Sequence, residues 1–142
     1  MADDQSVLTV SIVTPDGNVY DNKAAKMLVV KTQLGELGIM ANHVPVIASL
    51  AFDEARIQSD SSENPDEIAI NGGFVEFSDN VATIVADSAE KQGDIDVDRA
   101  QNAKKRAEAR IQKAHEAHDK DELARAEVAL RRAINRINVA GK

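Results

Sequence analysis

Cysteine and tryptophan are both absent from this chain of 142 residues, and it holds only one tyrosine and three phenylalanines. Without cysteine, disulfides and thiolate metal sites are excluded. With aromatics at 3%, few flat rings remain on which nucleic-acid bases could stack. No apolar run approaches the roughly 18 residues of a membrane-spanning helix. The opening MADDQSV has neither a basic region nor an apolar core. It therefore reads as no secretory signal, and a cytoplasmic chain is expected. There are three histidines. His43 has no second ligand at metal-binding spacing, so no metal site is expected. A turn-stabilising or interface histidine is the simpler reading, and His115 and His118 read as solvated polar residues. No Ser/His/Asp set, carboxylate pair or Walker-type glycine loop is evident, so catalysis is not expected either.

What is present falls into two halves. Residues 1–89 hold 14 acidic and 4 basic side chains, a net charge of −10. Residues 90–142 hold 10 acidic and 13 basic ones, a net charge of +3. Either the basic half docks on its own acidic body, or it leaves that body for an acidic partner. Basic residues are interleaved with glutamate, which argues against nucleic-acid binding.

The first half has the pattern of strands. Leu8, Val10 and Ile12 alternate with Thr9 and Ser11, as in a half-buried strand. Pro15-Asp16-Gly17-Asn18 is a turn. Val19-Tyr20 and Met27–Thr32 read as two further strands. Glu36, Leu37, Gly38, Ile39, Met40 and His43 fall between glycines and Pro45, so a loop is expected there. Its apolar residues either plug the end of the sheet or form an exposed contact patch. Val46–Phe52, Glu54–Gln58 and Ile68–Ile70 read as strands, with a polar loop over 59–67. Gly72-Gly73 interrupts the sheet, and Phe74–Phe77 then continues it with apolar residues on both faces. Ser78-Asp79-Asn80 is a hairpin loop, and Val81–Ala86 a last buried strand. Turns at this spacing predict an antiparallel β-sandwich or barrel.

After Asp94 the period changes. Val97, Ala100, Ala103, Ala107, Ile111, Ala114 and Ala117 recur every three or four residues, and so do Leu123, Ala126, Leu130, Ala133 and Ile137. The spacing predicts two helices joined by a short connection into an antiparallel hairpin. Asp94 or Asp96 would cap the first, and Asp119 or Asp121 the second. The expected organisation is α+β, with a β-sandwich over 1–89 and a helical hairpin over 90–142. Alanine seams bury little area, so a weakly held, detachable hairpin is expected beside the alternative of a fixed one.

Several segments together resemble the epsilon-subunit family of F-type ATP synthases. They are Val10–Gly17, Gly35–Ile39 with His43-Val44-Pro45, Asn71–Glu76, Ala86–Glu90 and the alanine-rich hairpin. The resemblance covers almost the whole chain. It implies a non-catalytic rotor-stalk subunit bound to the gamma subunit and seated on the c-subunit ring. Glu36, Leu37, Ile39, Met40 and His43 would form that contact. The subunit would lie peripherally at the cytoplasmic face of the membrane and restrain ATP hydrolysis through a mobile hairpin. Arg131, Arg132 and Arg136 would then meet acidic segments of the beta subunit within the alpha/beta catalytic assembly.

Some family members also carry an ATP site with the motif Ile/Leu-Asp-x-x-Arg-Ala. Ile95, Asp96, Arg99 and Ala100 match it here, with Glu90 upstream and the Arg132/Arg136 pair on the second helix. ATP would be a regulatory ligand, not a required cofactor. Set against this reading, Asp96 merely caps a helix and the arginines are solvated. A freestanding nucleotide-sensing adaptor is the alternative to a rotor subunit.

Overall fold

A computed structural model describes residues 6–142 of the chain; most of the segment read above as lacking an export signal, Met1–Gln5, lies outside them. The described chain divides into two compact units, the first ending at Gln92 and the second running Gly93–Lys142.

The first unit is a β-sandwich of nine strands: β1 (Leu8–Thr14), β2 (Gly17–Thr32), β3 (Gly35–Met40), β4 (Val46–Ser49), β5 (Asp53–Ser59), β6 (Asp66–Ile70), β7 (Gly73–Ser78), β8 (Val81–Ala86) and β9 (Ala89–Lys91). They are ordered β4-β7-β8-β1-β2-β5-β6-β9, with β3 on β2. The alternation read in the sequence decides which side chains turn inward. Leu8, Val10 and Ile12 of β1 pack with Leu28 and Val30 of β2, Ile57 of β5, Val75 and Phe77 of β7, and Ile84 of β8. All of this core belongs to the first unit.

Three expectations change. Val19-Tyr20 and Met27–Thr32 are not separate strands but parts of β2, which is 16 residues long. A register shift near Ala25 lets one strand serve both neighbours, its first part pairing with β1 and its last part with β5 and β3. The sandwich is not wholly antiparallel, because β1 and β8 run parallel. The sheet also does not end at residue 89: Ala89–Lys91 pairs with Ile68–Ile70, which carries the first unit on to Gln92.

A polar cluster holds the middle of β2. The Tyr20 hydroxyl donates to Asp66 Oδ2 at 2.7 Å and accepts from Asn22 Nδ2 at 3.0 Å. Asn22 also donates to Ser59 Oγ at 2.8 Å. Burial, then the Asp66 carboxylate, push the phenol up to about 12 from 10.0. The folded state thus holds this proton more tightly than the unfolded chain. The stabilisation is complete below about pH 10 and is lost as pH rises towards 12. Tyr20 is the sole tyrosine, so an ultraviolet titration reads it directly. Its midpoint is expected well above that of a free tyrosine, and lower in Asp66→Asn.

The second unit is a helical hairpin. A 3-10 turn over Gln92–Asp94 precedes α1 (Val97–Glu116), and α2 (Lys120–Ala140) follows a three-residue connection. Asp96 caps α1, accepting from Arg99 N at 3.1 Å, and Asp119 caps α2, accepting from Glu122 N at 3.0 Å. Asp94 lies in the preceding turn and Asp121 inside α2, so neither holds an N-cap position. The buried residues of α1 are Ala100, Ala107 and Ala114, seven apart. On α2, Ala126 and Ala133 repeat that spacing. The wide stripes expected from sequence narrow to this seam: Ile111, Leu123, Leu130 and Ile137 are half-buried, and Val97 is exposed. A seven-residue repeat of small side chains is the geometry of close helix pairing.

Candidate functional site

The five expected contact residues of the sandwich do not form one patch. The glycines predict a loop, but Gly35–Met40 is strand β3, in register with β2 from Thr32↔Gly35 to Met27↔Met40. Alternation then separates them. Ile39 is fully buried in the core and presents no surface, whereas Leu37 packs partly against the core and stays partly exposed. Glu36 and Met40 face outward but stand about 13 Å apart along the strand, at ~3.3 Å per residue. Glu36 belongs to a charged cluster, with Arg56 at 3.5 Å and Lys31 at 3.9 Å. His43 lies beyond the far end of β3. Its ring meets Phe77 edge-on at 5.9 Å, and its Nδ1 lies 2.6 Å from the Val44 carbonyl oxygen.

The exposed apolar side chains are largely others. Leu34, at the tip between β2 and β3, is 100% exposed, and Ile47 on β4 is 75% exposed. On the outer face of β4–β7–β8, Phe74, Val81 and Val85 are also exposed. Phe74 pairs with Val85, and Val85 with Val13 of β1, so a row of apolar side chains crosses three strands. The sequence carried part of this signal, in the apolar residues on both faces of Phe74–Phe77. It also carried Leu34, an apolar residue in a turn position where polar side chains are usual.

Gly72 and Gly73 place this row. Gly73 has φ +118°, and a side chain there would run into the β8 backbone. Its missing Cβ is what lets β7 begin so close to β8.

On the second unit, an ion pair marks the register. Arg110 Nε lies 2.7 Å from Glu122 Oε1. Counting outward from that pair, Ala107 comes level with Ala126 and Ala100 with Ala133, to within one residue. Arg99 comes level with Ala133, between Arg132 and Arg136. The hairpin therefore gathers these three arginines at one end, with Arg99 and Arg132 exposed and Arg136 half-buried. Arg132 and Arg136 are about 6 Å apart along α2. Arg131, also exposed, precedes them. Forked guanidiniums at this spacing suit a polyanion such as a triphosphate. Two motif residues have packing roles instead: Ala100 is fully buried and Ile95 nearly so. Asp96 holds α1 as its cap. Glu90 belongs to β9 of the first unit, paired with Ala69. Among the described residues no group of metal-binding side chains is found, and no helix is long and apolar enough to cross a membrane.

Comparison with known proteins bears on both units. The family described as ATP synthase, Delta/Epsilon chain, beta-sandwich domain matches residues 7–92. The family described as ATP synthase, Delta/Epsilon chain, long alpha-helix domain matches residues 94–141. The ATP synthase epsilon chain of Levilactobacillus brevis is 72% identical over 140 residues, covering 99% of each chain. That of Pediococcus pentosaceus is 67% identical over 137 residues, covering 96% of this chain and 97% of the other. A chain in the Euglena gracilis mitochondrial ATP synthase shares the fold, with a TM-score of 0.78 at 21% identity over 96% of this chain and 82% of that one. Two domains matched in order, and full-length relatives this similar, leave one conclusion: the chain belongs to the ATP synthase epsilon chain family.

Proposed function

We propose that this chain is a non-catalytic central-stalk subunit of an F-type ATP synthase. The observation that carries the reading is the division of labour between its units. The sandwich has a complete core of its own yet exposes apolar side chains at the Leu34 tip and across β4–β7–β8. Such surfaces ask for a protein partner. The gamma subunit and the c-subunit ring are the partners we assign to them, with the β4–β7–β8 face on gamma and the Leu34 tip, beside Glu36, on the ring. The chain is then held peripherally at the cytoplasmic face of the membrane through the complex.

The hairpin is the regulatory part. In one state it is closed, with ATP held by Arg99, Arg132 and Arg136. In the other it opens and extends along gamma, where Arg131, Arg132 and Arg136 pair with acidic segments of the beta subunit and oppose hydrolysis. ATP shifts this balance only through its preference for the closed state. Plentiful ATP therefore relieves the restraint. The isolated chain is expected to bind ATP saturably by calorimetry, and Arg99→Ala and Arg132→Ala are each expected to weaken binding about tenfold, as the loss of a charge-assisted phosphate contact does. No binding at millimolar ATP would leave the arginines as interface charges and remove the nucleotide from the mechanism.

A further inference from the structure

We infer that the Arg110–Glu122 ion pair is an electrostatic latch that sets how often the helical hairpin opens. The inference rests on the regulatory reading above but is drawn from the geometry of the second unit alone. The seam between the helices is centred on alanines, Ala100, Ala107 and Ala114 on α1 and Ala126 and Ala133 on α2, with Ile111, Leu123 and Leu130 half-buried and Val139 buried near the end of α2. Each alanine offers one methyl group, so the centre of the seam supplies close approach and little buried area. Arg110 and Glu122 bridge the two helices at 2.7 Å, well inside the range of a charge-assisted hydrogen bond.

Placement adds to the contact. Glu122 stands in the first turn of α2, where the helix dipole favours a negative side chain. Its backbone N–H is already taken by the Asp119 cap, which fixes that turn. Arg110 lies between the Ala107 and Ala114 layers of α1, on the seam's flank and not in its centre. The pair is therefore half-exposed, open to salt, and separable without burying a bare charge. Both helices keep their own caps when it parts. That combination allows reversible opening, whereas a buried pair would resist opening altogether.

The test uses amide hydrogen exchange in the full-length chain, read at the Ala107 and Ala126 turns, where each helix loses its partner's support and frays more readily once the hairpin opens. Arg110→Glu and Glu122→Arg are each expected to speed exchange about two- to fivefold, the range of an exposed ion pair. The double charge swap is expected to restore protection. Added salt is expected to speed exchange in the native chain and to leave Arg110→Gln/Glu122→Gln unchanged. Exchange unaffected by the single reversals, or not restored by the swap, would overturn the latch. This readout is independent of activity. ATPase rates of the assembled complex that stay flat across the same variants would instead overturn the regulatory reading.

Discussion

Replacing Gly73 with alanine is expected to leave the chain largely unfolded or insoluble. A Cβ built there would overlap the Val85 carbonyl oxygen and stand 2.8 Å from Ala86 Cα. Both are backbone atoms of β8, and Gly73 pairs with Ala86 at the start of the β7–β8 ladder. No rotamer change relieves such an overlap, so the ladder must open. At φ +118° the added side chain is strained as well. The cost is expected to exceed about 5 kcal/mol, enough to cancel the stability of a domain at the low end of the roughly 5–15 kcal/mol range. Two neighbouring substitutions calibrate the claim. At Gly72 the nearest atoms to a new Cβ are Asp87 Oδ2 at 2.6 Å and Phe52 Cε1 at 3.0 Å, and side chains can move. Gly72→Ala is therefore expected to destabilise less. At Gly38 nothing lies within 4 Å, and Gly38→Ala is expected to be close to neutral. Thermal melting followed by circular dichroism ranks the three. A soluble Gly73→Ala chain melting like the native one would contradict the β7–β8 packing described here.

The same packing shows what periodicity could and could not convey. Leu8, Val10 and Ile12 were legible as core because a strand alternates every two residues and one face is buried. The helices were legible because their alanines recur every three or four residues. Pairing between distant strands leaves no such trace. Nothing in Leu8–Thr14 announces a parallel neighbour at Val81–Ala86. Ala89–Lys91 is too short and too polar to signal a strand, and it becomes one only because Ile68–Ile70 offers an edge.

The candidate sites divide along the same line. Arg99, Arg132 and Arg136 were singled out by the family resemblance, and two helices with a three-residue connection bring them to one end of the hairpin. Gly35 and Gly38 look like turn residues, so the sequence places Leu37, Ile39 and Met40 in or beside a loop. Gly35 does close the turn after Leu34, at φ +125°, but Gly38 sits within β3 opposite Val29. Once the segment is a strand, alternation buries Ile39 and leaves Met40 outside. Leu34 and the outward Ile47, Phe74 and Val85 are exposed as well, and only the assembled sheet reveals that.

The second large effect concerns the helical unit as a whole. The core of the sandwich lies between Leu8 and Ala86, so a chain ending at Gln92 keeps every residue of it. Such a chain is expected to fold and to seat on gamma and the c-ring as the full chain does. It lacks the arginines that would meet the beta subunit. If the hairpin is the restraint, nothing then opposes hydrolysis, and a restraint of about 1.4 kcal/mol corresponds to a tenfold change. The most direct test is therefore the ATPase rate of the assembled complex, at low ATP, with the full chain and with the chain ending at Gln92. A rise of several-fold on truncation, with unchanged subunit stoichiometry, is the predicted result. Equal rates in two equally complete assemblies would contradict the regulatory role and reduce this subunit to a structural joint between gamma and the ring.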